Sequence, residues 1–161
     1  MIPHPLDRLF NPRSLAIVGA SRRGGSVGKL VLENCLEGQF SGALYAINPG
    51  YDEIDGVPCF PALSALPETV EHVVFALSDS RIEAAVEEAI FHGMRSCTIF
   101  SSLILESDAA PLLKDRVEEK LNAANVLACG GNCMGFYNFA VGLWASGFDT
   151  RHHRRQGNVS L

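Results

Sequence analysis

No apolar segment of the 161-residue chain approaches the roughly 20 residues that a membrane-spanning helix needs. The N-terminus, Met1-Ile-Pro-His-Pro5, lacks the basic and apolar regions of a secretory signal. Basic residues are in the minority. With 13 Lys and Arg against 18 Asp and Glu the net charge is −5, which argues against wholesale nucleic-acid binding. The five cysteines, Cys35, Cys59, Cys97, Cys129 and Cys133, have no metal-ligand spacing, and most stand in apolar runs, as buried free thiols do. A reducing cytoplasm suits them. Internal repeats and low-complexity stretches are absent. Acids are missing from one place in particular: between Arg13 and Lys29 there is none.

That acid-free stretch is the most informative part of the chain. Leu15 to Val18 is a continuous apolar run, as in a strand buried on both faces. At Gly19 it breaks into Ala-Ser-Arg-Arg-Gly-Gly, and from Ser26 a helical pattern begins with Val27, Leu30, Val31, Asn34 and Cys35 on one face. Strand, glycine-rich turn and helix present backbone N–H groups and a helix N-terminus to an anion. Gly19 permits the tight turn, Gly24, Gly25 and Gly28 let a phosphate approach the main chain, and Ser26 is the expected N-cap. Gly19-x-Ser21-x-x-Gly24 is the dinucleotide fingerprint with serine for its second glycine. Arg22 and Arg23 decide the reading. A charge-assisted hydrogen bond to phosphate contributes roughly 1.5–3 kcal/mol, against about 0.3–1 kcal/mol from a helix dipole.

The remaining pattern predicts strands at Ala43–Ile47, His72–Leu77, Ser96–Phe100 and Val126–Cys129, a short helical turn between Pro5 and Pro12, and turns with one short helical segment over Tyr51–Pro67. Further helices are expected behind a Ser80/Glu83 capping box and from about Asp108, with Pro111 in its first turn. Gly38 and Gly93 are expected to close helices, and the chain past Asn138 reads as less regular. Strands alternating with helices imply a single α/β domain: a Rossmann-like, doubly wound parallel sheet in three α/β/α layers. The turns at Gly19, Asn48, Leu77, Ser101 and Gly130 would then line the carboxyl edge, where ligands bind near the topological switch point. An NAD site has an acid at the end of its second strand. Here that strand ends in Asn48-Pro49, and the nearest acid is Asp52. NADP and coenzyme A remain.

Leu9-Phe-Asn-Pro-Arg-Ser14, Val18-Gly-Ala-Ser21, Gly25-Ser-Val-Gly28, Ile47-Asn-Pro49, Tyr51-Asp-Glu53 and Asn132-Cys133-x-Gly135 together resemble the CoA-binding domain of the NDP-forming acyl-CoA synthetases. That family includes ADP-forming acetate–CoA ligase and the α subunit of succinyl-CoA synthetase. The resemblance implies a coenzyme A or acyl-CoA ligand, with Gly19, Ser21, Arg22, Arg23, Gly25, Ser26, Val27 and Gly28 at its phosphates. Asn48, Pro49, Leu77 and Ser78 would shape the adenosine pocket, and Ser101, Asn132 and Cys133 would lie along the remaining rim toward the thiol. It also implies residues 1–150 as the CoA-binding domain and 151–161 as a linker toward a following domain, because Gln156-Gly-Asn-Val159 resembles the family's Pro-Gly-Asn-Val. The phosphohistidine and ATP-grasp regions of the family would lie outside this chain, which would therefore not turn over alone.

The chain departs from the family pattern at Gly50, where a lysine suited to the 3′-phosphate is usual. Asp79 is expected beside an adenosine phosphate, Leu103 replaces a glycine, and Gly131 a proline. A CoA-sensing domain or stand-alone CoA-binding protein, and an NADP-binding domain, are the alternatives. Outside this set, His72 reads as a satisfied structural histidine, and His4 and His92 as surface residues. His152 and His153 read as solvated tail, Trp144 as packing, and Asp79, Glu83, Glu87 and Glu88 as a helix start and its solvated face. Cys133 is a conceivable nucleophile without a histidine to activate it.

Overall fold

A computed structural model describes residues 4–149; His152, His153 and the 151–161 segment lie outside them. The continuous apolar runs form the centre of the sheet, as their burial on both faces requires. β1 (Ser14–Val18) pairs in parallel with β2 (Ala43–Ile47) on one side and with β5 (His72–Phe75) on the other. β6 (Ser96–Ile99) and β7 (Leu127–Cys129) extend the β5 side, again in parallel. On the β2 side the chain adds β4 (Val57–Phe60), parallel to β2, and β3 (Glu53–Ile54), antiparallel to β4. The seven-stranded order is β3-β4-β2-β1-β5-β6-β7. Strand progression reverses between β1 and β5, so the switch point lies at the carboxyl end of β1, where the glycine turn begins.

Alternate residues of each strand face opposite layers. Ala16, Val73, Phe75, Cys97 and Ile99 pack against Ile82, Val86 and Ala89 of α3 (Asp79–Phe91) and against Leu113, Val117 and Leu121 of α4 (Leu113–Ala123). Leu15, Ile17, Ala46 and Val74 pack on the other face against Val31, Leu32 and Cys35 of α2 (Val27–Glu37). A short helix, α1 (Asp7–Phe10), tucks Leu9 under the sheet. The Oγ of Ser96 donates to the Arg8 carbonyl at 2.6 Å and fastens that helix to β6.

Several local expectations need correction. The stretch 51–67 contains a β-hairpin, with Asp55 (φ 53°) and Gly56 (φ 83°) as its two-residue turn, the conformation that Asp-Gly favours. A second antiparallel pair, β8 (Gly135–Asn138) with β9 (Leu143–Ser146), occupies the region expected to be irregular, and Leu143 and Ala145 join the α2-side core. Gly38 closes α2 as expected, but with ordinary right-handed dihedrals, and the left-handed residue after it is Gln39, at φ 55°. Glycine is needed at 38 because a Cβ there would lie 2.4 Å from the Gly142 carbonyl oxygen and 3.0 Å from the Trp144 ring. Ser80 caps nothing, because α3 begins at Asp79, and Glu83 instead binds Arg116 at 2.9 Å and Lys120 at 3.1 Å on α4. That second helix starts at Leu113 rather than near Asp108, whose Oδ2 accepts the Leu113 N–H at 2.6 Å.

His72 is fully buried, with Nδ1 2.8 Å from Ser96 Oγ and Nε2 3.1 Å from Thr98 Oγ1. Because the Ser96 hydroxyl proton goes to Arg8, Nδ1 donates to Ser96 and Nε2 accepts from Thr98, which fixes a neutral ring. Burial pushes the His72 pKa down to about 3, against about 6.5 unfolded. The unfolded chain therefore takes up this proton first as pH falls. The stability is complete above pH 6.5 and declines toward pH 3, by about 2 kcal/mol at pH 5. Urea unfolding of the wild type and His72→Asn between pH 7 and pH 5 should show this extra loss in the wild type alone; equal pH slopes would contradict it.

Candidate functional site

The glycine turn is built by two close backbone contacts. Gly19 has φ 89°, and a Cβ on it would lie 2.4 Å from the carbonyl oxygen of Ala76, just past the end of β5 across the switch point. Gly28, in the first turn of α2, would place a Cβ 2.2 Å from the Gly19 oxygen. Gly28 thus lets the helix start directly against the strand end, a packing role beyond the phosphate access expected of it. Ser26 is the N-cap, its Oγ accepting the Lys29 N–H at 3.4 Å. Ordinary helix geometry leaves the Val27 and Gly28 N–H groups without intrahelical acceptors. No acid stands in the first turn.

These groups open onto a cavity of about 490 Å3 at the carboxyl ends of the central strands. Gly19, Ser21, Arg23, Gly25, Ser26, Val27 and Gly28 line its β1 side, Asn48 its β2 side, and Ala76, Leu77, Arg81, Phe100 and Ser101 the β5 and β6 side. Both titratable residues in the lining are arginines. Asn48 staples two turns together, Nδ2 donating to the Ala20 carbonyl at 2.7 Å and Oδ1 accepting the Gly50 N–H at 2.9 Å. Ser21 Oγ accepts the Arg23 N–H at 3.0 Å. Ser101 is buried, and its Oγ has no hydrogen-bond partner among the described residues. A buried, unpaired hydroxyl costs roughly 1–3 kcal/mol; it fits a site whose polar groups await a ligand.

Arg22 and Pro49 lie elsewhere, in a neighbouring cavity of about 490 Å3 with Gly50, Tyr51, Asp52 and Glu53. The Arg22 guanidinium sits 5.3 Å from the Tyr51 ring centre and donates to the Glu53 carbonyl at 2.7 Å. Ser78, Asn132 and Cys133 do not line the main cavity. Ser78 Oγ accepts from Arg81 Nε at 3.4 Å, and the Asn132 N–H donates to the Ser101 carbonyl at 2.7 Å. Asp79 is absent from the lining as well. Its carboxylate accepts from Ser102 Oγ at 2.8 Å and from the Leu103 N–H at 2.6 Å, so its charge is taken up by the loop after β6. Sequence reasoning missed Ala76, Phe100 and above all Arg81, although a residue just past the end of the third predicted strand belongs to the same rim.

Cys133 and Cys129 form a half-buried thiol pair. Cys129 donating toward Cys133 holds the Cys133 thiol below its ordinary value, and Cys129 rises in response. Burial pushes Cys35 and Cys97 up to about 12. Iodoacetamide at pH 7 should therefore modify the Cys129/Cys133 pair before Cys35 or Cys97. Peptide mapping by mass spectrometry checks this, and early labelling of the buried thiols would contradict it.

A mostly parallel sheet, a glycine turn at its switch point and an arginine-lined cavity together define a nucleotide-binding domain of the Rossmann-like class. More narrowly, the chain belongs to the CoA binding domain family, which matches residues 13–138. It is 32% identical over 143 residues to an ADP-forming acetate–CoA ligase of Archaeoglobus fulgidus, covering 88% of this chain and 20% of the relative. The corresponding ligase of Methanocaldococcus jannaschii is 29% identical over 143 residues, covering 89% of this chain and 20% of the relative. The chain thus spans about a fifth of the length of these relatives. Among solved structures, the dinucleotide-forming acetyl-coenzyme A synthetase 1 of Ca. Korarchaeum cryptofilum, in complex with phosphate and ADP, superposes with a TM-score of 0.81 at 27% identity. That match covers 88% of this chain and 30% of the synthetase. A conserved hypothetical protein from Pyrococcus furiosus matches with a TM-score of 0.59 at 27% identity, over 75% of this chain and 95% of its own. The chain is a CoA-binding domain homologous to one portion of the ADP-forming acyl-CoA synthetases. No described helix is long and apolar enough to cross a membrane, and no described cluster of His, Cys, Asp or Glu could hold a metal ion.

Proposed function

We propose that this domain binds coenzyme A or an acyl-CoA, with the pyrophosphate over the N-terminus of α2, as the CoA-binding module of an ADP-forming acyl-CoA synthetase. The observation that carries the reading is the acid-free cavity at the switch point, bounded by the Val27 and Gly28 N–H groups and two arginines, in a chain whose family is the CoA-binding one. Gly19, Ser21, Arg23, Gly25, Ser26, Val27 and Gly28 surround the phosphates, and Ser101 offers its unpaired hydroxyl. The adenosine end extends toward the Arg22–Tyr51 cavity, which adjoins the first through Arg22/Arg23 and Asn48/Pro49. Asn132, whose N–H donates to the Ser101 carbonyl, and Cys133, whose Sγ donates to the Ile99 carbonyl at 3.3 Å, lie toward the thiol end.

Family membership favours coenzyme A over NADP. The nucleotide and phosphohistidine chemistry of the whole synthetase belongs to partner domains or subunits, reached through residues 151–161, so this domain contributes binding and no catalytic residue. Five free thiols suit a reducing, cytoplasmic setting. Calorimetric titration of the chain with coenzyme A and with NADPH tests the reading. Coenzyme A should bind, and Gly28→Ala, which forces a side chain against the Gly19 oxygen, should weaken it at least tenfold. Binding of NADPH in preference to coenzyme A, or of neither, would overturn the assignment.

A further inference from the structure

A cation that the sequence motifs do not mark faces the cavity from its far side. Arg81 lies in the first turn of α3, behind β5, whereas Arg23 belongs to the turn behind β1, and both line the same cavity. All described ion pairs are made by other side chains. Of the two acids nearest Arg81 in sequence, Asp79 is engaged by Ser102 and Leu103, and Glu83 by Arg116 and Lys120. Arg81 is steered instead by a neutral group, Ser78 Oγ, which accepts from its Nε at 3.4 Å. That contact leaves the Nη fork uncommitted. On the same β5–β6 side stands Ser101, 8% exposed and without a partner for its Oγ.

Two guanidiniums without carboxylates, on opposite banks of one cavity, call for a ligand that carries charge on two adjacent groups. We propose that Arg81 binds the pyrophosphate, so that Arg23 and Arg81 clamp it across the β1–β5 boundary, one guanidinium to each phosphate. The inference rests on the coenzyme A reading above and adds a residue and a geometry to it. A planar guanidinium can meet two oxygens of one phosphate at once, which a lysine ammonium does as a point charge only. The pyrophosphate, rather than the 3′-phosphate, is the partner of Arg81 for a positional reason. The free N–H groups of α2 line the cavity that Arg81 lines, while the adenosine side lies beyond β1, toward Tyr51.

Equilibrium titrations of the full chain with coenzyme A and 3′-dephospho-coenzyme A, in the wild type, Arg81→Ala and Arg81→Lys, test the proposal. Arg81 is exposed, so both variants should melt with the wild type. Loss of one charge-assisted contact corresponds to roughly a tenfold to hundredfold weakening. Arg81→Ala should show this for both ligands equally, leaving their affinity ratio unchanged, and Arg81→Lys should recover part of it. Affinities within twofold of wild type for Arg81→Ala would overturn the clamp. A loss confined to coenzyme A would also overturn it, by moving Arg81 to the 3′-phosphate. A wild-type chain that binds neither ligand would instead overturn the coenzyme A reading itself.

Discussion

The site depends on one steric constraint, the contact of a helix start with a strand end that only two glycines allow. A side chain at 28 would drive the first turn of α2 into the Gly19 carbonyl, and one at 19 would drive the end of β1 into the Ala76 carbonyl just past β5. Everything else at the site is placed by that contact. It sets the N–H groups of Val27 and Gly28 at the rim of the sheet and gives the Arg23 turn its position. It also brings the turn after β1 beside the turn after β5. The remainder of the fold holds that juncture still. α2 is pressed from behind by the β8–β9 hairpin through Gly38 and Trp144, and α3 is tied to α4 by the Glu83–Arg116–Lys120 ion pairs.

Electrostatics then turns a crevice into an anion site mainly by keeping carboxylates out. The chain carries an excess of acid, yet none lines the cavity. Asp79, which stands in the first turn of α3, is held by hydrogen bonds from Ser102 and Leu103 in the loop after β6 and does not line the cavity. Lys29, beside the turn, is likewise bound to Asp55 and to Glu33. Arg22 is stacked on Tyr51. The two cations left facing the cavity are Arg23 and Arg81, and their strength is set by low competition rather than by number.

Much of this was legible in the sequence. β1, β2, β5 and β6 are short segments made mostly of apolar and β-branched residues, and such segments need no tertiary information to be recognised. The glycine turn and the Ser26 cap were legible for the same reason, since their chemistry is local. The short strands were not. β3 has two residues, and although Asp55-Gly56 is a hairpin signal, so brief a strand leaves no alternation to read. β9 depends for its burial on α2, far earlier in the chain, and β8 on its pairing with β9 and on Phe10 and His72. The fate of Asp79 was equally illegible: proximity to the site in sequence suggested repulsion, and only the distant Ser102 and Leu103 reveal where the carboxylate goes. Gly38 shows the converse, a correct expectation of glycine for a different cause, close packing in place of a left-handed bend.

The central claim is that the amides at the start of α2 hold the phosphates of coenzyme A. Backbone 15N–1H spectra of the chain, recorded as coenzyme A is added, test it most directly. The account predicts that the Val27 and Gly28 resonances shift most, with smaller changes at residues 21–26, 76–81 and 101. Shifts confined to the opposite end of the sheet, around His92 and Met94, with Val27 and Gly28 unmoved, would contradict it.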